Sequence, residues 1–108
     1  MLKFEELEEK MIPRFQGGEG SFVVRMADDG LNRILRGRLE PGCSIGLHRH
    51  ATSSEIIYVL SGEGKAFLDG KEERLTAGDC HYCKKGSAHT LLCTGKKALI
   101  FFAVVPQQ

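Results

Sequence analysis

The stretch Gly42–Gly62 reads GCSIGLHRHATSSEIIYVLSG and contains His48, His50 and Glu55. Its flanks favour strand, because the run before His48 has no helical stripe and the run after Glu55 is rich in β-branched and aromatic residues. Side chains alternate between the faces of a strand, so the two histidines point the same way. If the two strands pair across the short polar connection, Glu55 returns close to both imidazoles. The stretch alone fits either a metal site or a polar surface.

A second stretch, Gly78–Cys93, reads GDCHYCKKGSAHTLLC and places His89 in a strand-like run after a turn. Together the two stretches resemble the cupin superfamily. The first motif of that family, G-x5-H-x-H-x4-E-x6-G, is met in full by the stretch quoted above. The second, G-x5-P-x-G-x2-H-x3-N, is met by Gly78, Gly86 and His89. The match covers most of the chain after Leu31, and the spacing between the motifs falls within the family's usual range.

The resemblance implies a metal site at the centre of a β-barrel, with the ligands His48, His50, Glu55 and His89. Three imidazoles and one carboxylate suit Fe(II), Mn(II), Ni(II), Co(II), Cu(II) or Zn(II), and affinity order alone does not choose among these ions. The chain departs from the second motif twice, with Lys84 at the proline place and Cys93 at the asparagine place. The first departure concerns only the stiffness of a turn. The second places a soft thiol near the implied site.

The strand-like runs predict an all-β fold. Eight or more short runs are separated by Gly-containing turns, and Asp69-Gly70 is a hairpin signal that supplies two positive φ angles. This pattern is typical of a closed or sandwiched domain, and the resemblance implies a double-stranded β-helix (jelly-roll) barrel. A short N-terminal helix is expected over Lys3–Lys10, where apolar residues at helical spacing stand among glutamates. We therefore divide the chain into an N-terminal helix with a flexible linker, residues 1–20, and a single cupin β-barrel domain, residues 21–108.

The composition argues against several partners. Lys and Arg number 15 and Asp and Glu number 14, so the formal charge of +1 gives no reason to expect a nucleic acid or an anionic membrane. The N-terminus does not have the pattern of a secretory signal, and no apolar run is long enough to span a membrane, so we expect a cytoplasmic protein. The four cysteines are expected to be reduced there. As part of a strand, Cys80 and Cys83 are expected on opposite faces.

Parity along the strand after Glu55 predicts a second apolar surface. If Glu55 points inward, Ile57 does so too, and the outward residues are also apolar: Ile56, Tyr58 and Leu60. The run 98–105 is apolar throughout and needs cover on both faces. The N-terminal helix is one candidate cover and a partner subunit is another, so we expect a homodimer.

Two functions fit the implied site. The first is a metal-dependent enzyme of oxygenase, isomerase, decarboxylase or lyase type that acts on a small oxygen-bearing metabolite, because four protein ligands leave coordination positions open. The second is a non-catalytic small-molecule binding or sensing module with the same metal site. A structural metal ranks third, because closed sites tend towards tetrahedral Cys/His sets.

An acid or base beside the metal would favour the enzyme. The candidates are His81, Tyr82, Cys83 and Cys93. Spacing alone positions none of them, and a histidine such as His81 is more often a surface or packing residue than a catalytic one.

Overall fold

The computed structural model describes all 108 residues and contains ten strands in two antiparallel sheets. The strands, numbered β1 to β10 in chain order, are Lys10–Pro13, Ser21–Asp28, Asn32–Leu39, Ser44–Arg49, Glu55–Ser61, Glu63–Leu68, Lys71–Thr76, Cys80–Cys83, Ala88–Cys93 and Leu99–Pro106. The six-stranded sheet has the order β1-β2-β3-β10-β5-β8, and the four-stranded sheet has the order β4-β9-β6-β7. This arrangement confirms the predicted jelly-roll barrel.

The core lies between the two sheets and takes every second residue along β10 and most of β3. In β10, the inward residues Leu99, Phe101 and Ala103 are at most 1% exposed, while the residues between them are half-buried. The outer face of β10 is therefore apolar as well, as the sequence predicts. Part of it is covered by the N-terminus, because the rings of Phe4 and Phe102 pack edge to face with centroids 6.2 Å apart.

The N-terminus is mostly strand and turn. The predicted short helix is a single 3₁₀ turn, Phe4–Glu6, and its predicted extension to Lys10 is wrong, because β1 begins at that residue and pairs with β2. The segment has no side-chain cap and is too short to hold a helix by itself. Pairing with the edge of a sheet therefore decides its conformation. Neither this turn nor any other helix of the chain is long and apolar enough to cross a membrane.

The predicted linker packs against β4. A Cβ atom added to Gly18 would lie 2.1 Å from the carbonyl oxygen of Ser44, and one added to Gly46 would lie 2.1 Å from the carbonyl oxygen of Gln16. Only glycine at both positions permits this approach of two backbones. Residues 16–20 are thus packed against the barrel rather than forming a free link. The division of the chain at residue 20 stays a prediction.

The two strands of the first quoted stretch do not pair with each other, so the condition that would bring Glu55 to the imidazoles by pairing is not met. Strand β4 pairs with β9 in one sheet, whereas β5 pairs with β10 and β8 in the other. The polar connection crosses between the sheets, as the jelly-roll topology requires. Glu55 nevertheless faces the two imidazoles, because the inner faces of the sheets oppose each other.

Two local predictions are confirmed. Asp69 and Gly70 have φ angles of 49° and 83° and join β6 to β7 in a tight hairpin. Alternation along β5 is also as predicted: Ile57 is 1% exposed, whereas Ile56 and Tyr58 are 41% and 44% exposed. Local turn chemistry and strand parity were sufficient for both.

Candidate metal centre

Three imidazoles and one carboxylate meet between the inner faces of the two sheets. His48 and His89 lie opposite each other in the register of β4 and β9. His50 directly follows β4, and Glu55 is the first residue of β5. The candidate ligand atoms of these four residues all lie within 4.8 Å of one another. The structure therefore brings together all four residues that the sequence analysis selected.

The four atoms are spaced like neighbours around one cation. Nε2 of His89 lies 3.0 Å from Nε2 of His50, 3.2 Å from Nε2 of His48 and 3.1 Å from Oε1 of Glu55. Nε2 of His50 lies 3.2 Å from the same carboxylate oxygen. Two ligands at right angles, each about 2.1 Å from an ion, are about 3.0 Å apart. The donor set fits a divalent transition metal in both chemistry and spacing.

The two histidines of the first motif are held by nearby groups. Nδ1 of His48 lies 2.8 Å from the carbonyl oxygen of Gly46, and Nδ1 of His50 lies 2.9 Å from Oγ of Ser53. A carbonyl oxygen only accepts, so the His48 ring donates from Nδ1 and presents the lone pair of Nε2 to the cluster. Contacts of this kind orient imidazole ligands and raise their basicity.

The histidine of the second motif is held by residues that are distant in sequence. Nδ1 of His89 lies 2.9 Å from Nε2 of His81, whose Nδ1 lies 2.7 Å from Oε1 of Glu73. His81 is 1% exposed. From the sequence, a histidine such as His81 is more often a surface or packing residue, and neither contact was predicted. Strand parity could have placed His81 on the same face as Cys83, but only the tertiary structure brings Glu73 and His89 to its ring.

The other candidate acids and bases do not line the space in front of the cluster. Tyr82 is 50% exposed on the outer face of β8. Cys83 is buried while Cys80 is exposed, which confirms that the two thiols lie on opposite faces. Cys93 belongs to the hydrophobic core, where its thiol lies 3.3 Å from the carbonyl oxygen of Lys97. The sequence-based expectation of a thiol beside the site is therefore wrong.

The electrostatics of the cluster favour an ionised Glu55 and a neutral His48. Burial by itself raises the pKa of Glu55, but the close contacts of its carboxylate with the His50 and His89 rings outweigh burial and lower that pKa to about 2. Burial lowers the pKa of His48, because a charged imidazole is poorly solvated there. These protonation states are the ones that bind a metal ion.

A cavity of about 210 Å³ opens in front of the cluster and is lined by all four of its residues. The other walls are mostly apolar, with Phe22, Leu35 and Val105 among them. Gln16 and Arg33 are the only additional polar residues in the lining. The cavity therefore combines a metal-binding cluster with a hydrophobic enclosure, which is typical of a small-molecule site.

Known proteins resemble this chain in sequence and in fold. The cupin domain family matches residues 35–105. An oxalate-binding protein from Thermotoga maritima is 31% identical to the chain, over 97% of this chain and 92% of that protein. A crystal structure of a predicted oxalate decarboxylase from Thermotoga maritima has a TM-score of 0.93 at 31% identity, covering 100% of this chain and 99% of that one. An RmlC-like cupin from Shewanella frigidimarina has a TM-score of 0.82 at 20% identity, covering 100% and 90%, and this likeness concerns the fold alone.

Proposed function

This chain belongs to the cupin family, and from that premise we propose that it binds one divalent transition metal ion and, through the ion, a small chelating carboxylate. The proposed ligands to the ion are His48, His50, Glu55 and His89. A bound ion of this kind supplies a Lewis-acidic centre that holds and polarises oxygen donors. The donor set suits Fe, Mn, Ni, Co, Cu or Zn.

The observation that carries this proposal is the convergence of three Nε2 atoms and one carboxylate oxygen, which lie within 4.8 Å of one another. A neutral imidazole has at most one hydrogen atom to donate, so hydrogen bonds cannot satisfy every contact among these buried atoms. A single metal ion satisfies all of them at once. The Nδ1 atoms already have partners in Gly46, Ser53 and His81. The rings are therefore held in the orientation that a metal ion requires before it arrives.

A carboxylate ligand is supported by the site and by a relative. Four protein ligands leave one or two positions for oxygen donors on a five- or six-coordinate ion. These positions would face the cavity, because the four side chains line it. The Thermotoga maritima relative is an oxalate-binding protein, and oxalate is a small chelating carboxylate.

The lining of the cavity supports binding more strongly than catalysis. Proton transfer needs an acid or base within reach of the substrate, and Arg33 is the only ionisable residue in the lining besides the four candidate ligands. A guanidinium group stays protonated in proteins and is a poor proton donor. We therefore propose a binding or sensing role first. A decarboxylase is the second candidate, because the chain is similar to a predicted oxalate decarboxylase.

Metal content and oxalate binding test the proposal. The purified chain is expected to carry close to one metal ion, and the variant His48→Ala/His50→Ala is expected to lose it. Leu47→Ala is the matched control, because Leu47 is 68% exposed beside His48 and points away from the cluster. Isothermal titration with oxalate should give heat only with the metal-loaded protein. Full metal content in the double variant would refute the proposed ligands.

Turnover separates the two candidate functions. Oxalate that remains intact in ¹³C NMR spectra after long incubation with the metal-loaded protein supports binding. Formation of formate and carbon dioxide from oxalate and a proton would establish the decarboxylase instead. Leu47→Ala should behave as the unchanged protein in either case.

We also propose that the protein is a cytoplasmic homodimer. The outer patch of the six-stranded sheet, which we define as Ile56, Tyr58, Leu60 and Tyr82, is 41% to 50% exposed. Tyrosine is enriched in protein interfaces, and a second copy of the same patch would bury the two tyrosines and their aliphatic neighbours. All four cysteines are free, and the thiol of Cys80 is exposed. An exposed free thiol suits a reducing compartment such as the cytoplasm.

A further inference from the structure

The cavity is larger and more apolar than oxalate requires. An engineered apolar cavity of about 150 Å³ holds benzene, and this cavity measures about 210 Å³. Oxalate consists of two carboxylates joined directly, so it has no apolar part. Beyond the cluster, the cavity is lined by Phe22, Leu35 and Val105, which are only 5% to 6% exposed. These walls suit a hydrocarbon group.

A second carboxylate would find little support in this part of the cavity. A charged group against apolar walls loses its hydration without gaining partners. Arg33 is the only cationic side chain in the lining. Its Nε already lies 3.3 Å from a carboxylate oxygen of Asp28, and its side chain is 52% exposed. Arg33 therefore lies towards solvent with its charge already paired.

We propose that the ligand is a 2-oxo- or 2-hydroxy-monocarboxylate whose apolar body is about the size of benzene, an inference that rests on the proposed metal site. Its head, which we define as the carboxylate and the adjacent 2-oxo or 2-hydroxy group, chelates the ion through two oxygens. The apolar body lies against the inner faces of β2, β3 and β10, which contribute Phe22, Leu35 and Val105 to the cavity. The head and the body have separate partners, so their contributions to affinity are separable.

Two acids with the same chelating head test this inference. Isothermal titration of the Mn²⁺-loaded protein compares pyruvate with 4-methyl-2-oxopentanoate, which adds three carbon atoms to the same head. If all three become buried, the longer acid binds about 50-fold more tightly, because each buried methylene contributes about 0.8 kcal/mol, or about fourfold in affinity. Neither acid should bind to metal-free protein.

Two methionines provide a variant and its control. Met26 lines the cavity and is 40% exposed, whereas Met11 is 69% exposed and does not line it. Met26→Gln should weaken binding of 4-methyl-2-oxopentanoate about 3- to 10-fold and leave pyruvate unchanged, since only the longer acid reaches apolar walls. Met11→Gln should change neither affinity.

The outcomes separate this inference from the proposed function. Equal affinities for the two acids would overturn the inference and leave the metal site intact. Tighter binding of 2-oxoglutarate, lost in Arg33→Gln, would overturn it in favour of a dicarboxylate. A chain that binds no metal ion would overturn both the proposed function and the inference.

A second inference comes from different contacts, at the line where the edges of the two sheets meet. Strand β7 is the edge of the four-stranded sheet, and β8 is the edge of the six-stranded sheet. Across this line, Glu73 of β7, His81 of β8 and His89 of β9 form two successive hydrogen bonds of 2.7 and 2.9 Å. The two imidazole rings lie within 8° of parallel. The His81 side chain is 0% exposed, whereas that of Glu73 is 40% exposed.

The carboxylate sets the direction of both hydrogen bonds. A carboxylate only accepts, so Nδ1 of His81 donates to Glu73. The neutral His81 ring then has a bare Nε2, which accepts from Nδ1 of His89. We infer that Glu73 and His81 are positioning residues that hold His89 in the tautomer with its Nε2 lone pair facing the cluster. This inference also rests on the proposed metal site, but the tautomer itself is measurable without metal.

Substitutions at His81 distinguish positioning from packing. Competition with a chelator should show metal affinity lowered about 10- to 100-fold in His81→Leu. His81→Gln should recover most of the affinity, because its amide oxygen can accept the hydrogen bond from His89. Glu73→Ala should lower the metal affinity. Glu72→Ala is the control and should leave the metal affinity unchanged, because Glu72 is the neighbouring exposed carboxylate, 3.4 Å from Nζ of Lys65.

Nitrogen-15 NMR of the metal-free protein provides the readout that packing alone would not move. In the unchanged chain, His89 should carry its hydrogen on Nδ1, and in His81→Leu it should become a mixture of tautomers. An Nε2-protonated His89 in the unchanged chain would overturn the positioning role, whether or not metal binds. Equal metal affinity in His81→Leu, with the unchanged chain binding metal normally, would overturn the positioning role and leave the proposed function standing.

Discussion

The inner and outer faces of strands β5 and β8 carry similar residue types in opposite environments. Ile57 and Cys83 are at most 1% exposed on the inner face, whereas Ile56 is 41% exposed and Cys80 is exposed on the outer face. The inner face also carries Glu55, which belongs to the candidate metal centre. Residue type therefore does not tell the two faces apart. Their difference arises from what the other sheet places opposite the inner face.

The largest expected difference is in stability. Ile57→Ala should lower the free energy of unfolding by about 2–5 kcal/mol, because it leaves a cavity in a packed core. Ile56→Ala is the matched control on the adjacent residue and should stay within about 0.5 kcal/mol, as for most surface substitutions. Urea denaturation of both variants measures the two values. Similar losses from the two substitutions would show that the outer face is as tightly packed as the inner one.

The carboxylate on the inner face predicts a dependence on pH in the metal-free protein. The pKa of Glu55 is lowered from 4.5 to about 2, so its ionised form stabilises the folded chain above pH 4.5, and this stabilisation is lost as the pH falls towards 2. Linkage gives a contribution on the order of 3 kcal/mol. Denaturation with a chelator present, compared with Glu55→Gln, measures it. The difference between the two proteins should shrink steadily across that window, and a constant difference would contradict the lowered pKa.

The outer patch predicts a change of assembly rather than of fold. Tyr58→Asp places a charge in the proposed dimer contact, so light scattering should show the mass falling from twice the chain mass to 11.9 kDa. Phe67→Asp on the other sheet is the control, because Phe67 is also partly exposed, at 36%. It should leave the dimer intact. If the protein without substitutions is already monomeric, the outer patch is not a dimer contact and the proposal is wrong.

The smallest expected effect is a difference in reactivity between the thiols of Cys80 and Cys83, which lie on the two faces of β8. Cys80 should react quickly with a thiol reagent near neutral pH, because it is exposed. Cys83 should react only after unfolding, because burial raises its pKa to about 11 and keeps the thiol protonated. Mass spectrometry of labelled peptides gives both rates. Rapid labelling of Cys83 in the folded chain would contradict the burial of the inner face.

Much of the fold was predictable because its signals are local. Alternation fixed which residues of β5 point inward, and Asp69-Gly70 fixed a hairpin through its positive φ angles. The N-terminal helix was predicted too long because a weak helical pattern competes with pairing to β2, which local propensity does not describe. Whether β4 and β5 pair stayed open for the same reason, since proximity in sequence does not decide which sheet a strand joins.

The sequence by itself determined the four residues of the candidate centre, because their types and spacing are those of a family motif and strand parity turns His48 and His50 to the same side. Only the tertiary structure decided that His81 and Glu73 hold His89, that Cys93 lies in the core, and that apolar walls enclose the cluster. These contacts join strands from different sheets. Their partners are set by how two twisted sheets pack face to face, and no periodicity within a single strand encodes that packing.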